Sequence, residues 1–337
     1  MRNACSGSDD RRTRRDHYAE VTAQIIAALE AGTPPWRKPW DSGKAGGPMM
    51  PQNAATGAHY RGINTVILGM SPLALAGGDP RWATYKQATE RGWQVRKGSR
   101  GTTGFFYKRV EIGDHDNGDD DDGRKFVPLL RAFTLFHASQ IDGIPPYVAP
   151  DPDEAPWRTP EAVTTIARNS GAVIRIGGDQ AFYSPLTDHI QLPPISAFRS
   201  PAAHASVLVH GLGHFSGHPA RLNRDLTGRF GSAEYSREEM RVEWAQVMVC
   251  ATLGIEDCDF TNGAAYISSW AATLRGDKRE VFRAAADAQR IADYLLALHP
   301  DYAQGANRNE AADSETGPED GCVDPSRVTR AVLPEAA

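Results

Sequence analysis

This sequence predicts an α+β fold in two domains, on three observations. At 337 residues the chain is long enough for about two cores. A proline-rich break at residues 143–160 (Gly-Ile-Pro-Pro-Tyr, then Pro-Asp-Pro-Asp-Glu-Ala-Pro and Thr-Pro) divides it, with strand-like and helical patterns on both sides. The two sides also differ in charge. Residues 1–145 carry 20 Lys+Arg against 16 Asp+Glu, and residues 146–337 carry 17 against 26. Seven of the N-terminal acids lie between Glu111 and Asp122; without them the first side is 20 against 9. That asymmetry assigns a polyanionic partner to the first side alone.

Composition narrows the class. With 23% charged and 40% hydrophobic residues this is an ordinary globular chain. No apolar run approaches the ~18 residues of a membrane span, and Met1–Arg15 is polar and basic without the apolar core of a signal peptide. Cys5, Cys250, Cys258 and Cys322 are scattered, with no framework or Cys-x-x-Cys spacing. A reducing, cytoplasmic setting is expected.

The elements follow in order. Residues 1–13 read as a disordered tail. Asp16 caps a helix whose apolar face is Tyr18, Val21, Ile25, Ala28 and Leu29, with Gly32 at its stop. Trp36-Arg37-Lys38-Pro39-Trp40 and a Gly/Pro/Asn-rich loop to Gly57 lead to Tyr60-Arg61-Gly62-Ile63-Asn64 and a short apolar helix over residues 65–70. Residues 82–91 read as a helix and 93–101 as a strand ending in a basic glycine turn. Residues 103–112 and 125–136 read as a hairpin with a solvated acidic tip at 113–124. The first domain thus covers residues 14–145 and the linker 146–160. In the second domain, 161–301, a helix over 161–170 precedes strands at 173–176 and 188–192. Ser200-Pro201 starts a histidine-bearing helix. Helices over 236–253 and 264–298 complete it, and 302–337 read as a second disordered tail.

Single-stranded nucleic acid asks for cations along the phosphates and aromatic faces for unpaired bases, at about 1–3 kcal/mol per base. Trp36-Arg37-Lys38-Pro39-Trp40, Tyr60-Arg61, Trp82/Tyr85/Lys86 and Arg96-Lys97/Arg100 each supply one or both. Large aromatics such as Trp82 are also common core residues. The second domain carries different chemistry. His210, His214 and His218 recur every four residues, which stacks them on one helical face where two imidazoles can grip a divalent metal. The zinc-peptidase helix reads H-E-x-x-H, its glutamate being the general base; here that position is Gly211. No catalytic residue is therefore assigned.

The runs Trp36–Trp40, Pro51-Gln52-Asn53, Thr56-Gly57, Tyr60–Asn64, Trp82-Ala83-Thr84-Tyr85-Lys86-Gln87, Arg96-Lys97-Gly98 and Phe133-Thr134-Leu135-Phe136-His137 closely resemble the N-terminal domain of ArdC-type antirestriction proteins. Tyr183-Ser184-Pro185, Arg221–Leu226, Gly228-Arg229-Phe230-Gly231 and Glu238-Glu239 resemble that family's metallopeptidase-like domain. The resemblance implies a basic α+β domain that binds single-stranded DNA, joined to a zincin-like α+β domain, in a protein that shields conjugated plasmid DNA from restriction. It implies base stacking by Trp36, Trp40, Tyr60 and Tyr85, and phosphate contacts from Arg37, Lys38, Arg61, Lys86, Arg96, Lys97 and Arg100, with Asn64 and Trp82 in the same site. It implies a zinc ion, with manganese as the alternative, on His210 and His214, completed by Glu239 or Glu243 one helical turn apart. Ser236-x-x-Glu239 also reads as a capping box. Tyr183 and Asp188 precede the histidine helix, with Tyr183 facing a substrate. Gly211 departs from the family pattern, and losing a positioned base costs ~10²–10⁴ in rate. The expected function is DNA protection with a catalytically silent metallopeptidase-like domain. The rival is an active metal-dependent peptidase recruited by DNA to a protein substrate or restriction component.

Overall fold

The computed structural model describes residues 16–31, 50–112, 125–148, 159–255 and 263–303. Trp36, Arg37, Lys38 and Trp40, the acidic tip, residues 1–13 and residues 304–337 lie outside the described residues, whereas Tyr302 and Ala303, expected at the start of the second tail, are helical.

The first segment begins with α1 (His17–Glu30), where the Asp16 carboxylate accepts from the Ala19 amide. Its Val21, Ile25 and Leu29 are buried at i, i+4 and i+8, each contributing ~1.5–3 kcal/mol. Then follow β1 (Gln52–Asn53), α2 (Ile63–Gly69), α3 (Pro72–Gly77), β2 (Arg81–Ala83), α4 (Tyr85–Glu90), β3 (Gln94–Val95), β4 (Thr102–Ile112), β5 (Lys125–His137) and β6 (Ile141–Asp142). Strands β1-β2-β5-β4 form one sheet, in which β4 and β5 are the expected antiparallel hairpin. Strands β3 and β6 pair separately.

One expectation is corrected here. The helix starts at Tyr85, not Trp82, because Thr84 closes a capping box with Gln87 while Arg81–Ala83 pairs as a strand between β1 and β5. Trp82 therefore points inward, fully buried, with its ring edge-on to His137 at 4.9 Å. His137 is itself buried, its Nε2 bonded to the Asp79 carbonyl at 2.8 Å.

The second segment contains α5 (Thr159–Ser170), β7 (Val173–Ile176), β8 (Phe182–Ser184), β9 (His189–Leu192), α6 (Pro201–Phe215), α7 (Ala233–Leu253), α8 (Gly263–Gly276) and α9 (Glu280–Ala297). Its sheet has the order β7-β9-β8, with β9 parallel to β7 and antiparallel to β8. Ile190 and Leu192 turn inward among the core residues shared with α6. Helix α7 starts three residues before the expected point. Ser232, not Ser236, is its cap, and Ser236 is buried inside the helix with its hydroxyl on Ser269.

The two segments share one hydrophobic core. Val21, Ile25 and Leu29 of α1, Ile63 and Val66 of α2 and Phe105 of β4 belong to the same buried cluster as α6, α7 and α9. Tyr18 and Phe105 meet the ring of Phe282 edge-on, and Thr22 donates to the Lys278 carbonyl. Arg61 pairs with Asp293 of α9, and the Gly62 amide donates to the Gln289 side chain at 2.9 Å. Arg61, expected on phosphate, is thus an inter-segment clasp. The Arg61→Ala variant is expected to lose about 1–2 kcal/mol of stability in urea unfolding.

Candidate metal centre

Ser200 caps α6 by accepting from the Ala203 amide, and Pro201 occupies the first turn. From that start, His210 and His214 fall one turn apart on the side facing α7. Gly213 lets α7 come close: a Cβ there would stand 2.7 Å from Val242 Cγ1. The approach brings Glu239 against both imidazoles. His210 Nε2 and His214 Nε2 are 3.1 Å apart, and the Glu239 carboxylate oxygens lie 3.5 Å from the first and 3.3 Å from the second.

The far side of each ring explains why the Nε2 atoms converge. The Gln246 amide nitrogen donates to the Ser206 carbonyl at 3.0 Å and its hydroxyl at 2.7 Å. Its oxygen must therefore be the group facing His210 Nδ1, at 3.1 Å. That fixes a proton on Nδ1 and leaves Nε2 as the lone-pair nitrogen. His214 Nδ1 lies 3.4 Å from Glu238, a carboxylate clamped by Arg224. Outer partners of this kind set ring orientation and tautomer in metal sites. Burial alone would push the His214 pKa down, but the carboxylates of Glu239 and Glu238 outweigh it and raise it to about 9. Burial would likewise raise Glu239, yet His214 and His210 hold it well below the usual carboxylate range.

The donor set fits a divalent ion. Two nitrogens each about 2.0–2.1 Å from a tetrahedral zinc would stand roughly 3.3 Å apart. The 3.1 Å between the two imidazole nitrogens is close to that, and Glu239 sets one carboxylate oxygen 3.5 Å from His210 Nε2 and the other 3.3 Å from His214 Nε2. His210, His214 and Glu239 are the group among the described residues whose ligand atoms converge. Glu243, one turn beyond, is buried but lies outside that set, so the choice between the two glutamates falls to Glu239. His218 stands beyond the helix, its Nδ1 accepting from the Ala220 amide.

At Gly211, a Cβ would meet Ile190 Cγ2 of β9 at 2.9 Å. The space where a general-base side chain would begin is filled by the neighbouring strand. Glu238 is no substitute, because it faces the ring nitrogen of His214 that points away from the convergent ligand atoms. Tyr183, expected to face a substrate, donates its hydroxyl to Asp188 at 2.7 Å, and the Arg221 guanidinium binds the same carboxylate while lying 3.5 Å from the centre of the Phe215 ring.

The expected nucleic-acid residues divide sharply. Trp82 is core. Asn64 spends its side chain on both backbone groups of Phe105, donating at 2.6 Å and accepting at 2.7 Å. Tyr60 is half-buried against the Leu68, Trp82 and Leu135 cluster, and burial of its hydroxyl pushes its pKa up. What stays at the surface is Tyr85, 56% exposed, with Lys86, Arg96, Lys97 and Arg100. Helix α4 and strand β3 hold these residues together through the Ala88 and Val95 cluster. Arg96 also contacts Asp142 at 3.0 Å and Lys86 lies 3.8 Å from Glu90, exposed pairings that a phosphate can displace.

Sequence reasoning missed Glu238, Gln246, Arg224 and Ile190. The spacing of seven between Glu239 and Gln246, which places them on one face of α7, was the available signal for Gln246.

Comparison with known proteins places these features in context. Residues 15–136 match the N-terminal domain of anti-restriction factor ArdC, and residues 161–287 match a zincin-like metallopeptidase family. The chain is 41% identical over 302 residues to the uncharacterised protein y4eC of Sinorhizobium fredii (strain NBRC 101917 / NGR234), covering 88% of this chain and 96% of that protein. It is 38% identical over 320 residues to a DNA primase TraC of Escherichia coli, covering 90% of this chain, but it spans only 29% of that primase. A second TraC primase of the same species is 40% identical and is spanned over 20% of its length. Among solved structures, the metal-free antirestriction ArdC protein from plasmid R388 superposes with a TM-score of 0.69 at 38% identity, over 86% of this chain and 99% of that one. Its Mn(II)-bound form gives 0.68 at 36% identity, over 86% and 100%.

Proposed function

The chain belongs to the ArdC-type antirestriction family, and on that premise we propose that it binds single-stranded DNA of incoming mobile elements and carries a divalent metal in a domain that no longer cleaves peptides. What carries the second half is one juxtaposition: a complete His210, His214, Glu239 ligand set beside a glycine whose side-chain space Ile190 occupies. The Mn(II)-bound relative supports a divalent ion there. For the first half, support comes from the match to the ArdC N-terminal domain and from the exposed Tyr85, Lys86, Arg96, Lys97 and Arg100.

Gel-shift titrations with single- and double-stranded DNA test the DNA reading. Single strands should bind more tightly, with log K falling by about 0.7 per log unit of salt for each phosphate neutralised. The double variant Lys97→Ala, Arg100→Ala should reduce that slope by about 1.4. A flat salt response, or equal affinity for duplex, would remove the DNA reading. The match of residues 161–287 to zincin-like metallopeptidases favours a second reading, an active peptidase recruited to DNA. Robust proteolysis by the unmodified protein with zinc or manganese would establish that reading instead.

A further inference from the structure

The Arg221-Leu222-Asn223-Arg224-Asp225-Leu226 run has no part in the metal grip as such, yet its fourth residue re-enters the protein beside it. Asn223 takes φ +49°, a left-handed conformation that asparagine tolerates better than most residues. The Arg224 amide then bonds to the Gly217 carbonyl at 2.9 Å, and the Leu222 amide to Ser216 at 2.9 Å, folding the segment back on the end of α6. The Arg224 side chain and that of Glu238 are both under one-tenth exposed. The guanidinium grips Glu238 with two bonds, Nε to Oε2 at 3.1 Å and Nη2 to Oε1 at 2.7 Å. Two further hydrogens go to the Gly213 carbonyl at 2.7 Å and the Ser216 hydroxyl at 2.9 Å, so the same fork spans α6 and α7. The Glu238 oxygen that takes the shorter bond is the one 3.4 Å from His214 Nδ1.

We infer that Arg224 is a positioning residue for the metal centre, acting through Glu238 on the outer nitrogen of His214. The inference rests on the metal reading above. The bidentate fork holds the carboxylate in one plane, the carboxylate holds the His214 ring, and the ring aims Nε2 at His210 and Glu239. A lysine would supply the charge as a point and lose the plane. Affinity for the ion is thereby set partly by a loop that touches no ligand atom.

The test is cobalt(II) binding by the full chain, read by competition affinity and by the visible absorption of the bound ion. Arg224→Gln should weaken cobalt binding by ~10–100-fold and alter the absorption envelope, with Arg224→Lys intermediate. Should Arg224→Gln fail to fold, the neutral double variant Glu238→Gln, Arg224→Gln removes both buried charges together and should show the same affinity loss. A purely structural arginine would lower melting temperature while leaving affinity within twofold and the spectrum unchanged, which would overturn the inference. Absence of cobalt uptake by the unmodified protein would instead overturn the metal reading on which it stands.

Discussion

Glu239→Gln is expected to abolish tight divalent-metal binding, with an affinity loss beyond the ~10–100-fold typical of removing an outer-shell partner. The carboxylate is buried and lies 3.3–3.5 Å from both convergent nitrogens, so glutamine keeps the shape and removes the charge that offsets the ion's own. The measurement pairs a competition titration with thermal unfolding. An ion held at a hundredfold above its dissociation constant stabilises the unmodified protein by about 2.7 kcal/mol, and that increment should vanish in the variant. Affinity of the unmodified protein should also fall as pH drops, because the ion displaces the proton that Glu239 and Glu238 favour on His214. Retention of both the affinity and the thermal increment in Glu239→Gln would remove this carboxylate from the ligand set.

Placing the glutamate of the general zinc-peptidase helix at position 211 is expected to damage the protein rather than confer hydrolysis. The added Cβ would meet Ile190 Cγ2 at 2.9 Å, and Ile190 is a fully buried, β-branched residue of a central strand. Overpacking of this kind costs ~1–3 kcal/mol, against which replacing a helical glycine returns up to ~1 kcal/mol. Gly211→Glu should therefore unfold at lower urea concentration and show no metal-dependent hydrolysis. Adding Ile190→Ala should give a double variant more stable than the sum of the two single losses, since the two positions share one space. Hydrolysis by Gly211→Glu at undiminished stability would mean that β9 yields easily and that the glycine alone silences the site.

Much of this was legible in the sequence, for local reasons. Asp16 and Ser200 sit at helix starts where a short oxygen-bearing side chain satisfies a free amide, and both caps form. The i, i+4 histidines needed only helical geometry to meet. Other features depended on competition between elements. Two serines could have capped α7, and Ser232 wins because Ser236 is taken into the core on Ser269 and Trp270. Strand β8 is three residues long, too short for an alternation to register. Trp82 beside Tyr85 and Lys86 looked like one helical surface, but strand pairing turns the tryptophan inward while the other two remain outside. The part Glu238 plays beside His214 was not legible because its neighbour Glu239 explained the site on one helical face. Adjacent helical residues diverge by about 100°, and here the two carboxylates serve opposite nitrogens of the same ring.

The single core running through both segments bears on how such a protein is inherited. The TraC primases align with 320 and 307 residues of alignment, reaching 90% and 86% of this chain, inside much longer polypeptides. A recombination crossover between the segments would strip Val21, Ile25 and Leu29 from their partners on the other side and leave an apolar face open to water. A crossover outside both would transplant a finished body. The heritable module is thus the pair, which accounts in physical terms for both segments aligning together within polypeptides several times longer.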